Sequence, residues 1–149
     1  MLKDALKLKG RVGIVLKDKD GNIKETRDID NLVVDAGLDY IASRMKDATA
    51  TAMSHMALGS DSTAAAAGNT DLGSILGSRE ALDSTTVTDN TVQYVASFEA
   101  GDATGAVVEA GIFNASSAGT MLCRTVFAVV NKQADDTMTV TWTLTISAS

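Results

Sequence analysis

The stretch DDTMTVTWTLTIS, residues 135–147, decides the fold class. Met138, Val140, Trp142, Leu144 and Ile146 alternate there with Thr137, Thr139, Thr141, Thr143 and Thr145. A period of two gives an extended strand one apolar and one hydroxylated face. The apolar row, Trp142 included, must meet a core. A row of β-branched threonines suits water or a neighbouring chain equally, so Thr139, Thr141, Thr143 and Thr145 are interface candidates.

Three further strand-length runs precede it, STTVTDNTVQYVASFEA, GAVVEAGIFNA and GTMLCRTVFAVVNK, punctuated by TDN, GDATG, NASSAG and NKQADD. Turn residues at such spacing predict a mainly β chain folded as an antiparallel β-sandwich or small barrel. Residues 7–30 read as an N-terminal β-hairpin turning at Asp20-Gly21 or Gly21-Asn22. Residues 1–30 are then either an assembly arm or part of the same sandwich. Asp18, Asp20 and Gly21 miss the spacing of a helix-loop-helix calcium loop, which needs glycine at its sixth position and glutamate at its twelfth.

One amphipathic helix is predicted near residues 33–46, in NLVVDAGLDYIASRMKD, with Val34, Leu38, Ile41 and Met45 on the buried face and Asn31 as N-cap. A short strand over 54–58 follows, then a loop of small residues with one helical turn near Leu72–Leu76. No linker and no repeat of fixed period divides the chain, so residues 1–149 are read as a single domain.

A formal charge of −6 makes electrostatic capture of nucleic acid unexpected. No segment approaches the roughly 20 apolar residues of a membrane-spanning helix. Basic residues concentrate at the start, at Lys3, Lys7, Lys9, Arg11, Lys17, Lys19 and Lys24. Lys7 and Lys9 are candidates for contact with an acidic neighbour, although solvated strand edges account for lysines as well.

Signals for catalysis are weak. His55, the sole histidine, is the only imidazole that could serve a Ser or Cys nucleophile as base, and together with the sole cysteine, Cys123, it is a poor start for a zinc site. His55 alternates with Met56 on a strand, which suits a surface or interface hydrogen bond. The acids Glu80, Asp83, Glu99, Asp102 and Glu109 have no spacing that pairs any two at a glycosidase separation. Neither cofactor, metal nor catalytic residue is expected. Glu109, inside the apolar run VVEAGIFN, must face solvent or find donors, because an unpaired buried charge is costly. It is read as an acceptor at a turn, with Gly111 admitting another segment and Ile112 or Phe113 filling core.

Three stretches in this order, NLVVDAGLDYIASRM, SHMALGSDSTAAAAGNTDLGSIL and EAGIFNASSAGTMLCRTVF, resemble the small tail-fibre and tail-collar type structural proteins of tailed bacteriophages. Together they span most of residues 31–127, and the Thr-rich strand fits as a continuation. The resemblance implies a non-enzymatic virion component, assembled in the host cytoplasm, whose partners are copies of itself and other virion proteins. Such families include long fibres with a distal receptor-binding part; this chain ends before such an extension, so direct host recognition is not expected. Two other readings stand beside it: a capsid decoration or head-fibre protein, and a carbohydrate-binding or carbohydrate-cleaving module.

Overall fold

The structure, a computed structural model, describes residues 5–46 and 50–148; Lys3 and Asp47 lie outside them. Two five-stranded antiparallel sheets pack face to face as a β-sandwich. The strands are β1 (Leu6–Lys17), β2 (Ile23–Asp30), β3 (Leu32–Val33), β4 (His55–Gly59), β5 (Glu80–Ala81), β6 (Ser84–Thr88), β7 (Thr91–Phe98), β8 (Gly105–Phe113), β9 (Met121–Lys132) and β10 (Thr137–Ala148), with helix α1 (Asp35–Lys46) between β3 and β4. The first sheet runs β2-β1-β10-β7-β6 and the second β3-β9-β8-β4-β5.

The hairpin at the start is built into the first sheet. β1 pairs with β10 over its whole length, from Leu6 opposite Ala148 to Lys17 opposite Thr137. Its even-numbered residues Val12, Ile14 and Leu16 are buried in the main core. At the hairpin tip Gly21 takes a φ of 83°, and Asp18 Oδ1 accepts from the Asp20 and Asn22 N–H groups, both at 2.9 Å. An aspartate closing a turn on its own following amides is the expected chemistry of KDKDGN.

Between the sheets lie Met138, Val140, Trp142 and Leu144 of β10, Tyr94, Ala96 and Phe98 of β7, and Met56, Leu58, Ala110, Ile112, Leu122 and Cys123 of the second sheet. Burial holds the Cys123 thiol well above its ordinary pKa, and it is fully enclosed. The second sheet is covered on its outer side too. There Val34, Ala57, Phe113 and Met121 form a smaller cluster, packed by Ala36 and by Leu72 from the loop after β4. Residues 109–113 of β8 and 121–125 of β9 are buried on both faces and show no alternation, whereas β10 alternates cleanly.

The helix starts and faces differently from the sequence expectation. Asn31 is not its N-cap, because Leu32 and Val33 first pair with Arg124 and Cys123 of β9. Val34 takes the capping position, its carbonyl accepting the Leu38 N–H at 3.0 Å. Asn31 instead rests against Gly10, and its side-chain amide has no hydrogen-bond partner among the described residues. Gly37 is the buried residue of the helix, and a Cβ there would overlap the Leu122 carbonyl oxygen and lie 2.9 Å from its carbon. So close an approach rotates the packed face to Gly37, Tyr40 and Ile41, leaving Leu38 46% and Met45 79% exposed.

Candidate interaction surface

Alternation along β10 points Thr139, Thr141, Thr143 and Thr145 away from the core, and all four are half-buried. They occupy the middle of the outer face of the first sheet. On one side their cross-strand neighbours are Ser97, Val95, Gln93 and Thr91 of β7. Beyond these, Ser84, Thr86 and Thr88 of β6 continue the same rows. From β10 to β6 this face therefore carries only hydroxyl, amide and valine side chains. Charge begins at its margins: Asp83 accepts from Ser97 Oγ at 2.7 Å, and Glu99 accepts from Thr137 Oγ1 at 3.2 Å.

On the other side, Val15, Gly13, Arg11 and Lys9 of β1 stand opposite Thr139, Thr141, Thr143 and Thr145, with Lys7 opposite Ser147. Lys7 and Lys9 thus share the threonine face and flank one end of it, both exposed. Arg11 is held by Asp28, which accepts from Nε at 2.6 Å and from Nη2 at 2.9 Å, and by Asp30 at 3.0 Å. These hydrogen bonds hold the Asp28 carboxyl below its usual pKa. His55 is apart from this group: it lies on β4 of the second sheet, opposite Phe113 and Ala81, with its Nδ1 2.8 Å from Ser54 Oγ.

Glu109 and Gly111 serve the covered side of the molecule. Glu109 is 0% exposed on β8 and accepts five hydrogen bonds. Oε1 takes the N–H groups of Asp61 at 3.3 Å and Ser74 at 2.9 Å; Oε2 takes Gly73 N–H at 3.1 Å and Arg124 Nε and Nη2 at 2.9 and 2.8 Å. Arg124, on β9, also donates from Nη1 to Asn69 Oδ1 at 3.1 Å. A carboxylate sharing three loop amides and a guanidinium is fully satisfied despite its burial. The pair pins the loop after β4 onto the second sheet. Residues 74–76 return beside β4, where Ser60 N–H donates to the Ser74 carbonyl and Leu76 N–H to the Leu58 carbonyl, at 2.8 and 2.9 Å. No helical turn forms over Leu72–Leu76 because that backbone is engaged in this pairing, with Gly59 bridged to Ile75.

At Gly111 the approach is by side chains. A Cβ would meet Leu72 Cδ2 and Phe113 Cε2 at 3.1 Å and Met121 Sδ at 3.3 Å. Phe113 is buried, and the Arg79 guanidinium stacks over its ring, 3.6 Å from the centroid. Arg79 also donates to the Ala115 and Ala118 carbonyls at 2.9 and 2.7 Å, fixing the β8–β9 turn. The result is an open cleft of about 570 Å³ lined by Asp71, Ser74, Ser78, Arg79, Ser116 and Ser117, whose one cation is already committed.

Sequence reasoning singled out Glu109 but missed its partner. The signal was available: MLCRTVF places one cation inside an apolar strand, as VVEAGIF places one acid. Glu109 pairs with Val126 across β8 and β9, so Arg124 sits two residues away on the same face, within diagonal reach. Among the described residues no group of three or more His, Cys, Asp and Glu is arranged to hold a metal ion.

No family model, curated protein or solved structure matches this chain. Its two sheets differ in what lies outside them. Loop and helix residues cover the second, while among the described residues no element covers the threonine face of the first.

Proposed function

We propose that this protein is a non-enzymatic structural component of a tailed-phage virion, assembling in the tail, collar, baseplate or fibre-attachment region through protein–protein contacts. The observation that carries this reading is the outer face of the first sheet, where Thr139, Thr141, Thr143 and Thr145 stand in register with Ser97, Val95, Gln93 and Thr91. The β10–β7–β6 part of that face is uncharged and regular, so on a chain of net charge −6 acidic copies can approach there without opposing carboxylates. The pinned loop supports the same reading, since a part that must persist in a particle gains from having few loose segments.

Light scattering coupled to size exclusion tests it. A discrete oligomer is expected, and Thr141→Lys, at the centre of the face, should lower its order without unfolding the domain. A monomer at every concentration refutes self-assembly. Saturable binding or cleavage of a host polysaccharide would replace this reading with a carbohydrate-directed one.

A further inference from the structure

The first sheet has two edges, and they are treated oppositely. β2, with the sequence IKETRDID, carries five charged side chains in its last seven residues. Its pairing with β1 is also irregular at Leu16/Lys17. Charge and irregular pairing are the usual guards against strand addition. In the second sheet the edge strands β3 and β5 are only two residues each. β6 has none of these defences. Its sequence STTVT contains no charge and no proline, its register with β7 is regular, all five residues are exposed, and Val87 is 70% exposed.

We propose that β6 is the seam at which a second copy of this chain adds, its own β6 pairing antiparallel across a two-fold axis to continue the first sheet. The proposal rests on the self-assembly reading above and names the contact that begins it. An exposed strand edge offers backbone donors and acceptors that another strand satisfies best. With no charge of its own, STTVT can pair with an identical strand, and the flanking acids Asp83 and Asp89 decide the register. A register centred on Thr86 would set Asp83 against Asp89 of the other copy, a like-charge pair. Shifting the centre to Val87 removes that conflict: Val87 meets its counterpart, and Thr86 lies opposite Thr88.

In this register the two valines share the inward side of the joined sheet. Each lies beside a mainly apolar cleft of about 270 Å³ whose lining includes Tyr40, Ile41, Met53, Val92 and Tyr94 together with Arg44. On the outward side the two uncharged faces merge, so the seam doubles the surface available to further neighbours. A C2 contact of this kind is self-complementary by construction.

Sedimentation of the full chain, with Val87→Lys and Val87→Glu alone and mixed, tests the seam. Each single variant should raise the dissociation constant of the dimer at least about tenfold, and the mixture should recover most of it, because opposite charges then meet. Hydrogen exchange at residues 84–88 of the wild-type chain should slow as concentration rises, a readout independent of the variants. A wild-type oligomer unaltered by both substitutions, with no concentration-dependent protection of 84–88, overturns the seam and leaves assembly through another surface. A wild-type monomer up to about 0.5 mM, a concentration that would populate even a weak dimer, overturns the seam and self-assembly together.

Discussion

Replacing Arg124 with methionine removes the guanidinium from Glu109 while keeping an unbranched chain in its place. Glu109 would lose two of five hydrogen bonds and its nearby cation, but would keep the amides of Asp61, Gly73 and Ser74. With Glu109 at 0% exposure and Arg124 at 2%, water has little access to compensate. Leaving one member of a buried ion pair alone costs about 3–5 kcal/mol. Three remaining amides argue for the lower end, near 3 kcal/mol. That is a substantial part of the roughly 5–15 kcal/mol that holds a domain folded, and shifts the thermal midpoint by on the order of 10 °C. Denaturant titration of Arg124→Met, Glu109→Leu and the double variant separates the pair from its parts. The double variant should cost less than the sum of the singles by about 1–3 kcal/mol, since neither charge is then orphaned. Hydrogen exchange at Gly73 and Ser74 should accelerate in Glu109→Leu. A loss under about 1 kcal/mol for Arg124→Met would show that the pair does not anchor the loop.

Trp142→Ala, in the centre of the main core, should cost about 3–5 kcal/mol by denaturant titration; a negligible change would mean that the faces of β10 are reversed. Gly37→Ala should destabilise by more than the roughly 1–3 kcal/mol typical of an added core methylene, because its Cβ meets the rigid Leu122 backbone. Gly111→Val should cost less, about 1–3 kcal/mol, since it meets movable ends of Leu72, Phe113 and Met121. Asp136 has its carboxyl held below 3.8 by hydrogen bonds from Lys24 Nζ and the Gln133 N–H, at 2.7 and 2.8 Å. A folded-state pKa below the unfolded one contributes stability at neutral pH that is lost as acidity rises from about pH 5 through the folded value. Thermal midpoints should therefore fall on acidification, and more shallowly in Asp136→Asn.

Regular alternation made the central strands of the first sheet legible. β10 is buried on one side, so each threonine in TMTVTWTLTIS reports its own orientation. β8 and β9 lack that clarity where both of their faces are covered, over residues 109–113 and 121–125, and their apolar runs announce strands without saying which side faces which layer. The helix was legible as a helix but not in its orientation: Leu38 and Met45 carry the hydrophobic signal, while the contact with β9 requires the smallest side chain, at Gly37. The path of the loop after β4 had no local signal at all. It is set by Glu109 and Arg124, residues 35 or more positions beyond the segments they hold. Val87 was one apolar letter among threonines, and only the sheet order reveals that its strand is an edge.

The pairing of β1 with β10 has a consequence during synthesis. Leu6 lies opposite Ala148 and Val12 opposite Trp142, so β1, which leaves the ribosome before β10, waits for it before its core side is complete. β7 is on the far side of β10 and waits too. The second sheet needs only residues up to β9, so it can form while the first is still two separate hairpins. Contacts closed over nearly the whole chain are the slowest to form. Emergence of β10 from the ribosome is thus the event that joins β1–β2 to β6–β7 and, with them, creates the threonine face.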